Sequence, residues 1–266
     1  MAEPMYWRIA QDLRQEIEGG KLGPGQQLPT ELELRQRYGA SRNTIRDAMK
    51  WLTSRALVDS RPGQGTFVAV HPEIFLTTLS ADAATGLGGG EGAAADSEIR
   101  ARGGSAAADP PRVELQSASE HIAQRLGVAA GAMIVGRHQS RYIDGRPWSL
   151  QTSFYPMELV TRGAQRLLEA KDIPEGTIAY LRETLGLTQV GYRDTLTVRS
   201  PGREEAAFFG LPDDGRIPVV AILRAGYADS PEGPVPFRIT VSVFPADRNQ
   251  FVMNSGAVPG GLAEAA

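Results

Sequence analysis

In the stretch SRNTIRDAMKWL, residues 41–52, Arg42 and Arg46 stand four apart beside an apolar series of Ile45, Ala48, Met49 and Leu52. That spacing puts the arginines on one face of a helix and the apolar groups on another. A guanidinium is a planar fork of donors that matches phosphate oxygens and base edges. Asn43 and Thr44 add short-range hydrogen-bonding groups, and the amides at the helix start suit a phosphate. Farther on, RPGQGTF places Arg61 and Gln64 among Gly63 and Gly65, glycines that permit close backbone approach to a duplex. The chemistry these residues could do is nucleic-acid recognition. The plainer alternative is a solvated helical face and an ordinary turn.

No catalytic set emerges. Ser149, Ser153, His138 and Asp144 have no triad spacing, GLPDDG reads as a turn, and no phosphate loop or dinucleotide fingerprint occurs. The three histidines, His71, His121 and His138, have no carboxylate at metal-binding spacing, so no metal or cofactor is expected. The absence of cysteine excludes disulfides and thiolate chemistry.

Several elements must position these groups. Tyr6, Ile9, Leu13 and Ile17 predict a helix over 5–18, and TELE at 30–33 carries a capping box that starts a short second helix. Ser41 caps the third. The apolar runs Leu57–Val58 and Thr66–Val70 around a Pro/Gly turn predict a β-hairpin. Three helices and a hairpin make a winged helix-turn-helix over residues 1–70. Residues 80–108 are mainly Ala and Gly, with too few large apolar groups to offset their ordering cost. Residues 71–110 are therefore read as a linker with a flexible segment, or as a loop inserted in the second domain.

Residues 111–254 predict an α+β domain with a mainly antiparallel sheet. Strands are expected on either side of Asp144-Gly145 and through VGYRDTLTVRS, IPVVAILRAGYA and FRITVSVF. Helices are expected at SASEHIAQRLG, LVTRGAQRLLEA, TIAYLRETLG and GREEAAFFG. Residues 255–266 read as a flexible tail.

At 266 residues, two domains are the natural division, and 41% hydrophobic with 22% charged content is ordinary for a globular protein. The net charge of −3 does not favour nucleic acid. Locally the balance reverses: between Gln36 and Gln64, Arg37, Arg42, Arg46, Lys50, Arg55 and Arg61 face only Asp47 and Asp59. No run approaches the roughly twenty apolar residues of a membrane span, and the N-terminus lacks a signal peptide's apolar stretch.

Residues 20–68, with LPTE, YGASRNTIRDA and GQGTFV, resemble the winged helix-turn-helix of GntR-type transcription regulators. The resemblance implies DNA contacts at Arg42, Thr44, Arg46 and Gly65. Leu32 departs from it, standing where the family carries an arginine that helps hold phosphate, so no contact is assigned there. Residues 111–254, with DGRP at 144–147, TSFYP at 152–156 and PAD at 245–247, resemble the UTRA effector-binding domain of the HutC-like subfamily. That likeness implies a chorismate-lyase-like fold, a pocket for a small, often anionic metabolite, and places there for Arg137, Thr152 and Ser153, a guanidinium and two hydroxyls that suit an anion or carboxylate. Arg224, Tyr227 and Tyr155 are further wall candidates, although an aromatic taken singly is more often core. Arg238 stands where many relatives have a glutamate, a change that favours an anion if the position lines the pocket.

The reading is a sequence-specific DNA-binding transcription regulator, a repressor whose operator affinity is modulated by a small effector. A homodimer on a palindromic operator, acting in the cytoplasm at the bacterial nucleoid, is what the resemblance implies. The alternatives are a ligand-independent DNA-binding or protein-interaction module and, less in keeping with the residues, an enzyme.

Overall fold

The computed structural model describes residues 3–55, 57–61, 63–70, 74–79, 92–212 and 214–253. They form two compact units divided between residues 73 and 74. Among the described residues, no helix is long and apolar enough to cross a membrane.

The first unit holds α1 (Met5–Glu18), α2 (Glu31–Tyr38), α3 (Arg42–Ser54) and the hairpin β1 (Val58–Arg61) and β2 (Gly65–Val68). The predicted caps are present. Thr30 accepts from the Glu33 amide while the Glu33 carboxylate accepts from the Thr30 amide, and Ser41 accepts from the Thr44 amide. Gly39, at φ 60°, takes the left-handed backbone that ends α2 and turns the chain into α3. Ile9, Ala10 and Leu13 of α1 lock against Ile45, Ala48 and Leu52 of α3, all six fully buried. This core fixes which face of α3 remains outside.

The second unit begins with β3 (Phe75–Thr78), α4 (Gly92–Ala101), β4 (Ala106–Ala108), β5 (Arg112–Ser117), α5 (Glu120–Leu126), β6 (Met133–Ile143) and β7 (Arg146–Pro156). It continues with α6 (Met157–Thr161), a 3-10 turn (Gln165–Leu168), α7 (Thr177–Leu185), β8 (Gln189–Arg199), α8 (Arg203–Phe209), β9 (Val219–Ala228), β10 (Val235–Pro245) and β11 (Asn249–Val252). A seven-stranded antiparallel sheet runs β4-β6-β7-β10-β9-β8, with β5 also on β6. β3 and β11 form a separate parallel pair. The turn between β6 and β7 is Asp144-Gly145, both at positive φ (50° and 74°).

Three expectations need correction. Residues 92–108, read as part of a flexible linker or of a loop inserted in the second domain, belong to the second unit, but as the ordered α4 and β4. Ala95 and Ile99, four apart, bury against Ile143, Trp148 and Phe244. Glu98 accepts from the amide and hydroxyl of Thr78, and Arg102 donates to the Leu76 carbonyl, so α4 is tied to β3. Few apolar groups suffice because side-chain hydrogen bonds complete the docking. The start of the second unit accordingly lies near residue 74, not 111. Third, LVTRGAQRLLEA is not one helix: Gly163, at φ 127°, breaks it into α6 and the 3-10 turn. Residues 80–91, His71 and the tail expectation for 255–266 lie outside the described residues.

Candidate nucleic-acid interface and effector cavity

With one side of α3 sealed against α1, Arg42, Asn43 and Arg46 are exposed on the opposite side. Both arginines meet Glu31, the first residue of α2: Arg42 Nε–H donates to Oε2 at 3.3 Å and Arg46 Nε–H to Oε1 at 3.4 Å. The Thr44 hydroxyl is engaged with Ser41 Oγ at 2.8 Å, so it serves the helix cap in this state. Arg37, counted in the local basic excess, is neutralised within the unit by Glu16 at 2.5 Å. Its hydrogen bonds, supplemented by Lys21, hold the Glu16 carboxyl down at about 2 against the opposing effect of burial.

In the hairpin, Arg61 lies over the Phe67 ring at 4.3 Å with its guanidinium on the surface. Gln64 is exposed, and its carbonyl accepts from Gln27 Nε2 at 2.9 Å. Gly65, at φ 117°, takes a backbone that any other residue would hold only under strain, and an added Cβ would also push aside the Gln27 side-chain amide, 2.4 Å away. All seven residues expected at the nucleic-acid interface thus lie in one unit, five of them with exposed side chains and Gly65 as backbone. Glu31 went unnoticed in the sequence because an acid in a helix's first turn is ordinary.

In the second unit, a cavity of about 410 Å³ opens on one face of the sheet. The pleat decides which residues reach it. Arg137, Gln139 and Arg141 alternate along β6, and Gln151, Ser153 and Tyr155 along β7. Arg238 of β10 joins them, α4 supplies Asp96, Ser97 and Arg100, and the far wall is residues 172–179. Arg137, Arg238 and Ser153 are each under a tenth exposed. The wall includes the first turn of α7, whose N-cap is Gly176 at φ 82°, with no side-chain cap for the first amides of the helix. Such a turn is a seat for negative charge.

Arg137 is held by main chain. It donates to the carbonyls of Arg166, Leu167, Glu169 and Lys171 at 3.3, 2.9, 2.8 and 2.7 Å. Burial pushes its pKa down from the ordinary value, and among the described residues no carboxylate pairs with it. The wall's acids are mostly engaged: Asp96 with Arg141 at 2.7 Å and Glu175 with Arg166. Arg137 therefore stands as a buried cation on the cavity floor.

Of the effector-site candidates, Arg137, Ser153, Tyr155 and Arg238 line this one cavity, whereas three others do not. Thr152 faces the other side of the sheet and hydrogen-bonds His138 Nδ1 at 2.9 Å. Tyr227 also lies on that side, packed beside α5 with Leu126 and Ile239 and lining a shallower groove with Arg125 and Arg193. Arg224 shares the cavity's face but not the cavity. It pairs with Asp194 at 2.6 Å, lies 3.9 Å over Tyr192 and donates to the Leu79 carbonyl at 3.4 Å, a structural strut. Gln139, Arg141, Gln151 and Asp96 were missed; the period of two through Arg137 and Ser153 could have found the first three. Burial and Arg112 push the His138 pKa below its ordinary value, although Nε2 lies 3.4 Å from Glu114, whose carboxylate also pairs with Arg112.

A helical face of basic and amide side chains beside a glycine-tipped hairpin, with a polar cavity in a separate unit, defines a ligand-sensing DNA-binding regulator. Comparison gives the family. Residues 5–68 match the profile of bacterial regulatory proteins of the gntR family, and residues 102–250 match the UTRA domain. The chain belongs to the GntR-type transcription regulators that carry a UTRA domain. It is 24% identical over 249 residues to the transcriptional repressor NagR of Bacillus subtilis, covering 94% of this chain and 93% of that one. It is 27% identical over 160 residues to the mannosyl-D-glycerate transport/metabolism system repressor MngR of Escherichia coli, 59% of this chain and 60% of the relative. The fold matches a crystal structure assigned to the GntR family (TM-score 0.69, 23% identity, 96% of this chain and 99% of that). PhnF from Mycobacterium smegmatis also matches it (TM-score 0.55, 24% identity, 94% and 100%).

Proposed function

We propose that the chain is a repressor that works as a homodimer in the cytoplasm, releasing a palindromic operator when a small anion fills the cavity of the second unit. Arg42, Asn43 and Arg46 read base edges in the major groove, while Arg61, Gln64 and Gly65 hold the flanking backbone or minor groove. Two relatives bear the name of repressor, which supports the direction of control. One observation carries the ligand class: the cavity floor holds two arginines under a tenth exposed, Arg137 and Arg238, facing a helix start with no side-chain cap. An anion there would accept charge-assisted hydrogen bonds.

The test is a mobility-shift titration of the purified full chain on an operator duplex, with sugar phosphates, dicarboxylates and neutral sugars added in turn. The expected result is weakened operator binding by one anionic class and none by the neutral compounds. Unchanged DNA affinity across the panel, together with unchanged thermal stability, would remove the sensor reading and leave a ligand-independent DNA binder.

A further inference from the structure

We propose that Glu31 is a positioning residue for base readout, holding Arg42 and Arg46 side by side through their Nε–H edges. The inference rests on the DNA-binding reading of α3 and deepens it.

The geometry is that of one carboxylate shared between two helices. Glu31 opens α2, and its two oxygens each accept from one arginine of α3, Oε2 from Arg42 at 3.3 Å and Oε1 from Arg46 at 3.4 Å. Both bonds use the Nε–H side of the guanidinium. The two terminal amino groups of each arginine have no protein hydrogen bond among the described residues. Those terminal groups form the fork that meets guanine O6 and N7. The arrangement thus fixes each arginine at its neck and leaves its reading end open.

Stability does not account for it. The three side chains are 43% to 64% exposed, and a pair at such exposure contributes little to folding. An acid on a face meant for phosphates also weakens non-specific attraction, because every phosphate contact depends on net positive charge. The neighbour Leu32 is 60% exposed and brings no cation to compensate. What Glu31 supplies in return is order: two long side chains that would otherwise sample many rotamers enter the groove already placed. The consequence is low affinity for arbitrary DNA and a larger ratio between operator and non-operator binding.

The experiment uses the full chain and a duplex chosen by repeated selection from a random-sequence pool with the unaltered protein. Affinities for that duplex and for a scrambled duplex are measured at one salt concentration for the unaltered chain, Glu31→Gln, Glu31→Asp and Arg46→Ala. Glu31→Gln is expected to bind the scrambled duplex more tightly and to lower the operator-to-scrambled ratio by roughly tenfold, a part of what a bidentate base contact discriminates. Glu31→Asp keeps the charge but cannot span both arginines, so its scrambled-duplex affinity stays unchanged while its ratio also falls. A ratio preserved in either variant, while Arg46→Ala loses the operator, overturns the positioning role and leaves the DNA face intact. An Arg46→Ala chain that binds the operator like the unaltered one overturns both. If Glu31 only served the α2 helix dipole, its loss would shift melting temperature and not the ratio.

Discussion

Removing the guanidinium of Arg137 would leave four main-chain carbonyls, from Arg166 to Lys171, without their shared donor. Arg137→Ala is therefore expected to destabilise the second unit by about 2–4 kcal/mol, read by chemical denaturation. A variant that binds ligand weakly yet unfolds like the original would mean that the residue is chiefly a ligand contact. At the DNA face, Arg46→Ala should lose most operator affinity, whereas Gln64→Ala should cost only a few-fold, since it removes an exposed, uncharged side chain of the hairpin and leaves the main-chain carbonyl bonded to Gln27. Mobility shifts on one duplex at fixed salt compare the two. The residues also mark how far sequence reasoning reached into the site. Arg137, Ser153, Tyr155 and Arg238 could be gathered from their types and likeness to a family, but Thr152 could not be told from Ser153 until the strand's pleat was seen. Arg224 carries the same chemistry as Arg137, and only the position of Asp194 on the neighbouring strand makes it a strut.

Among the elements, α2 is the shortest helix of the first unit and depends most on its ends. Thr30→Ala removes one half of its capping box and should lower stability by about 1 kcal/mol, measurable as a shift in the thermal transition. The junction of α1 with α2 makes stability depend on acidity. Glu16, held by Arg37 and Lys21, titrates at about 2 in the folded unit against an ordinary 4.5. A depressed folded value means that its stabilising share is complete above the unfolded value and is lost as pH falls from about 4.5 toward about 2. Glu16→Gln should flatten that part of the stability–pH curve; an unchanged slope would assign the acid sensitivity elsewhere. Elements with strong periodicity or caps, such as α1, α3 and the Asp144-Gly145 hairpin, were legible in the sequence because local chemistry determines them. α4, β3, β4, β5 and β11 were not, because each is short and exists through what it docks on.

At the scale of the whole molecule, regulation by the proposed homodimer requires that the ligand prefer one arrangement of it over another. A ligand with equal affinity for both shifts nothing, and a tenfold change in operator affinity needs about 1.4 kcal/mol of preference. An anion that acts on the cavity should also stabilise the second unit by mass action, by about 2.7 kcal/mol at one hundred times its dissociation constant, and so raise its melting temperature. Calorimetry with and without the active compound checks this, and weakened DNA binding with no thermal shift would point to competition at the DNA face.

The parallel ribbon of β3 and β11 has a practical corollary. Phe75 to Thr78 is joined to Asn249 to Val252, so the first strand of the sensing unit is closed by its last. A chain cut before Asn249 would strip Phe75–Thr78 of that ladder, and protease sensitivity near Leu76 would report the loss.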